Sequence, residues 1–377
     1  MKTCPTQQKS LKKSCFKSFH ELIALRVNEI LLISSPYDAF IMQEDGRLSE
    51  RIIHEYQGLN LSRPPRLSWV SNAAEALTDL ESISYDLVIV MPHISDMDAY
   101  ALCRKIKSLY PDLPVYYFAY DAGKVLEDEQ CYDRKIIDRT FVWGGNTDLL
   151  LALVKNQEDR MNVDTDTQLA DVRVIIFVED SPFYLSILLP YLYKEIVMQT
   201  QAVMDDSLNE KERILRMRTR PKILVAENYE QARILYEKYK KYLMCVISDV
   251  RYEKQGKDDA EAGIKLLMAI HEEISDLPLL MLSSEPGNKQ RADAIPAFFL
   301  DKNSPSLHAD IRYFFVHYLG FGDFLFRMPD GRVVARASNL RSLASILHSV
   351  PDESINYHAS QNHFSRWLMA RFEMQLA

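Results

Sequence analysis

The chain has 377 residues, enough for two or three domains that each bury a core. Hydrophobic residues make up 47% and charged residues 26%, which excludes the disordered and fibrous classes and points to a soluble globular protein. Lys and Arg number 45 against 53 Asp and Glu, and the net charge of -8 excludes a general attraction to nucleic acid or to an anionic membrane.

The opening stretch MKTCPTQQKSLKKSCFKSFHELIAL is basic but lacks an apolar centre followed by a small-residue cleavage site. It predicts an amphipathic helical extension over residues 1–27, not a signal peptide. No run approaches the roughly 18 apolar residues that span a bilayer. Cys4, Cys15, Cys103, Cys131 and Cys245 are scattered without a CxxC pair, which fits a reducing cytoplasm, and Cys245 sits inside an apolar run as a small core residue.

From residue 29 two similar series of elements follow one another. In the first, EILLISS (29–35), RLSWVS (66–71), YDLVIVM (85–91), LPVYYFAY (113–120) and DRTFVW (138–143) predict short strands separated by helical patterns. In the second, VRVIIFV (172–178), PKILVAE (221–227), YLMCVISDV (242–250), LPLLMLSS (277–284) and AFFLDK (297–302) repeat the rhythm. Strands apolar on both faces and alternating with helices belong to parallel sheets covered on both sides. The expected fold is α/β, with two doubly wound five-stranded domains in tandem over residues 28–160 and 171–318. The polar stretch 155–171 is expected to be the join. Residues 319–377 read as a short, mostly helical extension ending on a helix HFSRWLMARFEMQLA without a stop signal, as if cut before a further domain.

Ligands of doubly wound sheets gather at the carboxyl ends of the strands. In the second series those ends carry Glu179 and Asp180, then Asp249, Ser283 and Lys302. Like charges crowded at one rim repel, but they make a hard oxygen site suited to a magnesium ion. An aspartate beside such an ion can attack phosphorus in line while a lysine and a hydroxyl take up charge on the equatorial oxygens. Asp249 is the best placed nucleophile. Ser284 is as apt a hydroxyl as Ser283. In the first series the same positions hold Ser34 and Ser35, Met91, Ala119 and Trp143, so no metal or phosphoryl chemistry is expected there.

The ordered set Glu179/Asp180, Asp249, Ser283 and Lys302 resembles the motif of flavodoxin-like, CheY-type response-regulator receiver domains. The resemblance implies that Asp249 accepts a phosphoryl group from a histidine kinase or phosphotransfer protein. It implies a Mg2+ (or Mn2+) cofactor held by Glu179, Asp180, Asp249 and the backbone carbonyl of Arg251. It places Ser283 and Lys302 on the phosphoryl oxygens and Phe299 at the aromatic switch. The first domain is then a degenerate pseudo-receiver, and receivers often pair, so a homodimer is expected. RMRTRPKILVAENYEQA, VISDVRY, FFLDKNSPSL, GFGDFLFR and YHASQNHFSRWLMAR are similar to the regulatory region that precedes a phosphoenolpyruvate/pyruvate-binding enzyme domain in bacterial phosphoenolpyruvate synthase-like proteins. That resemblance implies such an enzyme, in the same chain or separate, as the regulated party and no enzyme activity in these residues.

Other features read as structural. The loop RYEKQGKDDAEAG is charged, and its Asp258 and Asp259 are expected to be solvated. Arg213, Arg216, Arg218, Arg220 and Lys222 are expected to form a solvated helix end. Asp96 and Asp98 are expected as helix caps. His93 has no partner at metal-ligand spacing, and His358 and His363 are expected on a packed helix. Two readings of other classes stay open: a fragment of a phosphoenolpyruvate synthase-like phosphotransferase that retains catalysis or substrate binding, and a scaffold that is never phosphorylated.

Overall fold

A computed structural model describes residues 21–42, 50, 53, 63–120, 136–204, 210–373 and 376–377. Residues 1–20 of the expected helical extension, with Cys4 and Cys15, and also Cys131, lie outside the described residues. The chain divides into two compact units, one of residues Ala24–Glu158 and Ser181–Pro190, the other of Asp159–Asp180 and Tyr191–Ala377 with the residues up to Ile23.

In the first unit β1 (Glu29–Ile33), β2 (Arg66–Val70), β3 (Leu87–Val90), β4 (Val115–Ala119) and β5 (Arg139–Val142) form a parallel sheet in the order β2-β1-β3-β4-β5. β3 and β4 are buried along their whole length, as runs apolar on both faces require. The helices Ala73–Ser82 and Ala99–Leu109 start where Asn72 and Asp98 accept from the backbone N–H groups of Glu75 and Ala101.

The second unit contains β6 (Val174–Val178), β7 (Lys222–Ala226), β8 (Leu243–Asp249), β9 (Tyr252–Lys254), β10 (Lys257–Asp259), β11 (Leu279–Ser283) and β12 (Phe298–Asp301). Its parallel sheet runs β7-β6-β8-β11-β12. Taken by position, both sheets have the 2-1-3-4-5 order of the flavodoxin-like folds. The expected α/β architecture is the one observed.

Three local expectations are corrected. The stretch 155–171 does contain the boundary between the two units, at Glu158/Asp159, but it is part of one continuous helix, Asp148–Ala170, and not a polar loop. Its polar groups are buried with partners. Lys155 Nζ meets Glu158 Oε2 at 2.7 Å, Asp159 takes both guanidinium nitrogens of Arg220 at 2.8 and 2.9 Å, and Asp166 Oδ2 lies 2.9 Å from Lys222 Nζ. By the same contacts Arg220 and Lys222 are fully buried, not part of a solvated helix end. The expected charged loop after Asp249 is instead the antiparallel hairpin β9–β10, turned through Gln255 at φ 52° and Gly256 at φ 73°. Two positive-φ residues in a two-residue loop suit the twist of a tight hairpin.

The C-terminal region begins with a hairpin of β13 (Phe324–Arg327) and β14 (Val333–Ala337) and continues in the helices Leu340–Ile346, Asp352–Ser360 and His363–Met369. Phe324, Phe326, Ala337, Leu343 and Trp367 form a small core of their own. The final helix does not run to the last residue: it stops at Met369, and Phe372 follows at φ 62°. Among the described residues no helix is long and apolar enough to cross a membrane.

Candidate functional site

Strand register assembles the site. Val178 of β6 pairs with Ser248 of β8, Leu282 of β11 pairs with Asp249, and Ser283 pairs with Asp301 of β12. Glu179, Asp249, Ser283 and Lys302 therefore stand side by side at the carboxyl edge of four neighbouring strands. The crevice between the first and third strands, where a doubly wound sheet reverses direction, is flanked by Glu179 and Asp180 on one side and Asp249 on the other.

Lys302 Nζ lies 2.6 Å from Glu179 Oε2 and 2.9 Å from Asp249 Oδ2, with both Glu179 and Lys302 buried. The other Asp249 oxygen accepts from the Val250 N–H at 2.7 Å. One ammonium thus pairs with two carboxylates, and Asp180 is a third close by. Burial pushes the Glu179 carboxyl up to about 8 even though Lys302 opposes the shift, and Asp249 adds to it. Asp180 is exposed as a residue, yet desolvation of its carboxyl, followed by the charge on Asp249, raises it to about 6. Burial alone would depress Lys302, but Glu179 and Asp249 outweigh it and hold the ammonium above its ordinary value.

A carboxylate oxygen from each of Glu179, Asp180 and Asp249 falls within 4.8 Å of the others, the one such group of potential metal ligands among the described residues. Three hard oxygen donors crowded at one rim are under-compensated by Lys302 alone, and this donor set fits a divalent magnesium-like cation. Asp258 and Asp259 are engaged elsewhere, Asp258 with Arg251 and Asp259 with Lys265 Nζ at 2.7 Å. Arg251 follows Asp249 by two residues and is exposed at the base of the hairpin.

Ser283 is buried at the end of β11, whereas Ser284 is exposed. The Ser283 Oγ accepts from the Glu285 N–H and from Asn288 Nδ2, both at 3.0 Å. Asn288 escaped sequence reasoning, since a polar residue five positions past a strand carries no periodic signal. Phe299 is partly buried against the core of the unit. Tyr252 anchors the hairpin: it is fully buried with its hydroxyl 3.1 Å from Ser248 Oγ.

The equivalent strand ends of the first unit carry neither a carboxylate nor a lysine. Register places Ser34 and Ser35, Met91, Ala119 and Trp143 there. Ser34 accepts from Trp69 Nε1 at 2.9 Å, Ser35 caps the helix Pro36–Phe40, Met91 and Ala119 are buried, and Trp143 stacks on Phe118 at 5.5 Å. Asp96 accepts from the Ala73 and Ala74 N–H groups at 2.7 and 3.0 Å, and His93 stacks on Tyr120. In the second unit His358 is buried, its Nδ1 is 2.9 Å from His363 Nδ1, and its Nε2 accepts from the Arg327 N–H at 2.7 Å.

No family model and no curated protein matches the chain. Among solved structures it is similar to the signal receiver domain of an HD domain-containing protein from Pseudomonas fluorescens Pf-5, at 23% identity over 38% of this chain and 94% of that one with a TM-score of 0.30. It is also similar to a two-component response regulator from Clostridium difficile, at 25% identity over 36% of this chain and 98% of that one, TM-score 0.28. A third is the signal receiver domain of a signal transduction histidine kinase from Syntrophus aciditrophicus, at 27% identity over 35% of this chain and 91% of that one, TM-score 0.26.

Proposed function

We propose that the second unit is a signal receiver that accepts a phosphoryl group on Asp249 from a histidine kinase or phosphotransfer protein. The observation that carries this reading is Lys302 held between Glu179 and Asp249 at 2.6 and 2.9 Å, with Asp180 within ion-sharing distance. An Asp249 carboxylate oxygen forms the new bond to phosphorus as the P–N bond of the donor phosphohistidine breaks, and the imidazole leaves with the electron pair. Lys302 turns from the carboxylate to a phosphoryl oxygen, and Ser283 donates to another. Glu179, Asp180, Asp249 and the Arg251 carbonyl would hold Mg2+ or Mn2+, which neutralises charge between the two anionic reactants. Adding about two negative charges at this rim is sufficient to bias a two-state surface, with Phe299 as the switch residue.

The first unit serves as a pseudo-receiver without phosphoacceptor chemistry. On resemblance of the whole chain, the regulated party is a phosphoenolpyruvate/pyruvate-binding enzyme, fused or separate, met by one chain or a homodimer. Incubation with magnesium and acetyl phosphate, followed by intact mass, should show one labile phosphoryl group that Asp249→Asn abolishes. Wild type that stays unlabelled with small donors and with cognate kinases would reject the reading.

A further inference from the structure

The Ser283 hydroxyl has an unusual hydrogen-bond account. A serine hydroxyl offers one donor and two lone pairs. Both lone pairs are occupied, one by the Glu285 N–H and one by Asn288 Nδ2, each at 3.0 Å. Ser283 and Asn288 are both buried, so water is not a ready substitute. Among the described residues the hydroxyl proton meets no acceptor. A buried donor without a partner is costly, by about 1–3 kcal/mol, unless a ligand completes it. The backbone donor is fixed by the turn that follows β11. The second donor is a side chain, and it enters from Asn288 at the end of the short turn Pro286–Asn288.

We propose that Asn288 is a positioning residue that fills the second lone pair of Ser283 and so commits its hydroxyl to donate to an oxygen of the phosphoryl group arriving at Asp249. This rests on the reading of Asp249 as phosphoacceptor. Without Asn288 the hydroxyl is free to rotate about its Cβ–Oγ bond, and its proton is divided among directions. An aspartate at 288 is a stronger disturbance, because an ionised carboxylate accepts from the hydroxyl and turns the proton away from the incoming group.

The test is the rate of labelling of the full chain by acetyl phosphate in magnesium, followed by intact mass. Loss of one well-oriented hydrogen bond in the transition state predicts a maximal rate about five- to tenfold lower for Asn288→Ala, with the donor KM unchanged. Asn288→Asp should be slower still. In a Ser283→Ala background, adding Asn288→Ala should change the rate by less than about twofold, since the pair acts as one unit. Should Asn288→Ala fail to fold, the isosteric Asn288→Asp carries the comparison. Wild-type rates in both Asn288 variants, or the same loss with and without the Ser283 hydroxyl, would overturn the inference while leaving Asp249 as acceptor. An unlabelled wild type would instead remove the reading beneath it.

Discussion

Gly263 packs so closely on Asp249 that a β-carbon at 263 would lie 1.8 Å from the Asp249 carbonyl oxygen. The Gly263 N–H also donates to the Val250 carbonyl at 2.9 Å, which ties the start of the helix Ala262–Glu273 to the end of β8. Because the obstructing atom is backbone, no side-chain rotation relieves it. Gly263→Ala is expected to destabilise the chain by about 3 kcal/mol and to displace Asp249. Urea unfolding checks the first effect and acetyl phosphate labelling the second.

Magnesium should stabilise the protein more at pH 8 than at pH 6. Glu179 and Asp180 have folded-state values raised to about 8 and about 6. Their contribution to stability is therefore fully present below the ordinary carboxylate range and is lost as pH rises through about 6 and then about 8. A divalent cation competes for the same oxygens and must displace any protons it finds. The increase in Tm produced by magnesium, measured at both pH values, checks the sign. An equal or larger increase at pH 6 contradicts it.

Arg220→Met should destabilise the second unit by about 3–5 kcal/mol, because it leaves the buried Asp159 without its bidentate partner. Asp159 would retain two neutral donors, the Tyr193 hydroxyl at 2.8 Å and the Ile223 N–H at 2.9 Å, and the more distant Lys222 Nζ at 3.9 Å, which is held closer by Asp166 at 2.9 Å. Denaturant titration of this variant beside one at a partly exposed arginine, Arg213→Met, separates the buried pair from a general loss of charge.

Acid should loosen the C-terminal subdomain before the sheet of the second unit. Arg327 fixes the tautomer of His358, so its Nδ1 carries the proton that lies between the two rings. A second proton would set two N–H groups against each other. The groups around the pair are Arg327 on β13, Arg366 and Phe364 on the last helix, Tyr357 on the preceding one, and Phe324 and Phe326 on the hairpin. Burial, then Arg366, pushes His363 down to about 4. The contribution is present above about 6.5 and fades as pH falls toward 4. After allowance for partial exposure this amounts to on the order of 1 kcal/mol at pH 5. Hydrogen exchange of residues 354–371, corrected for intrinsic rates, should show the loss in wild type and a flatter profile in His363→Phe.

The strands and the acids at their ends were readable in the sequence because a strand buried on both faces is an unbroken apolar run, and the charge that ends it is conspicuous. Glu179, Asp249 and Lys302 were found in this way, and register brought them together. Arg220 and Lys222 were misread because their partners, Asp159 and Asp166, lie about 60 residues earlier, and charge alone is ordinarily a sign of exposure. The hairpin after Asp249 was misread for another reason: KDD and YEK are poor strand formers by composition. Its one local signal was Gly256 after a polar residue, a pair that suits a two-residue turn. The separate core of the last residues was hidden because its members, Phe324 and Trp367 among them, come from a hairpin and helices that are individually short.

That hairpin gives the mouth of the site a built wall. Tyr252 is sunk in the core, Lys254 Nζ sits 4.0 Å above the ring of Tyr229, and the Gln255 N–H donates to Glu230 at 3.1 Å. Fixing a backbone costs about 1–2 kcal/mol of conformational entropy per residue. Here that ordering is completed when the chain folds, so the arm that follows Asp249 stands in place before any binding event and none of its ordering cost would fall on a partner.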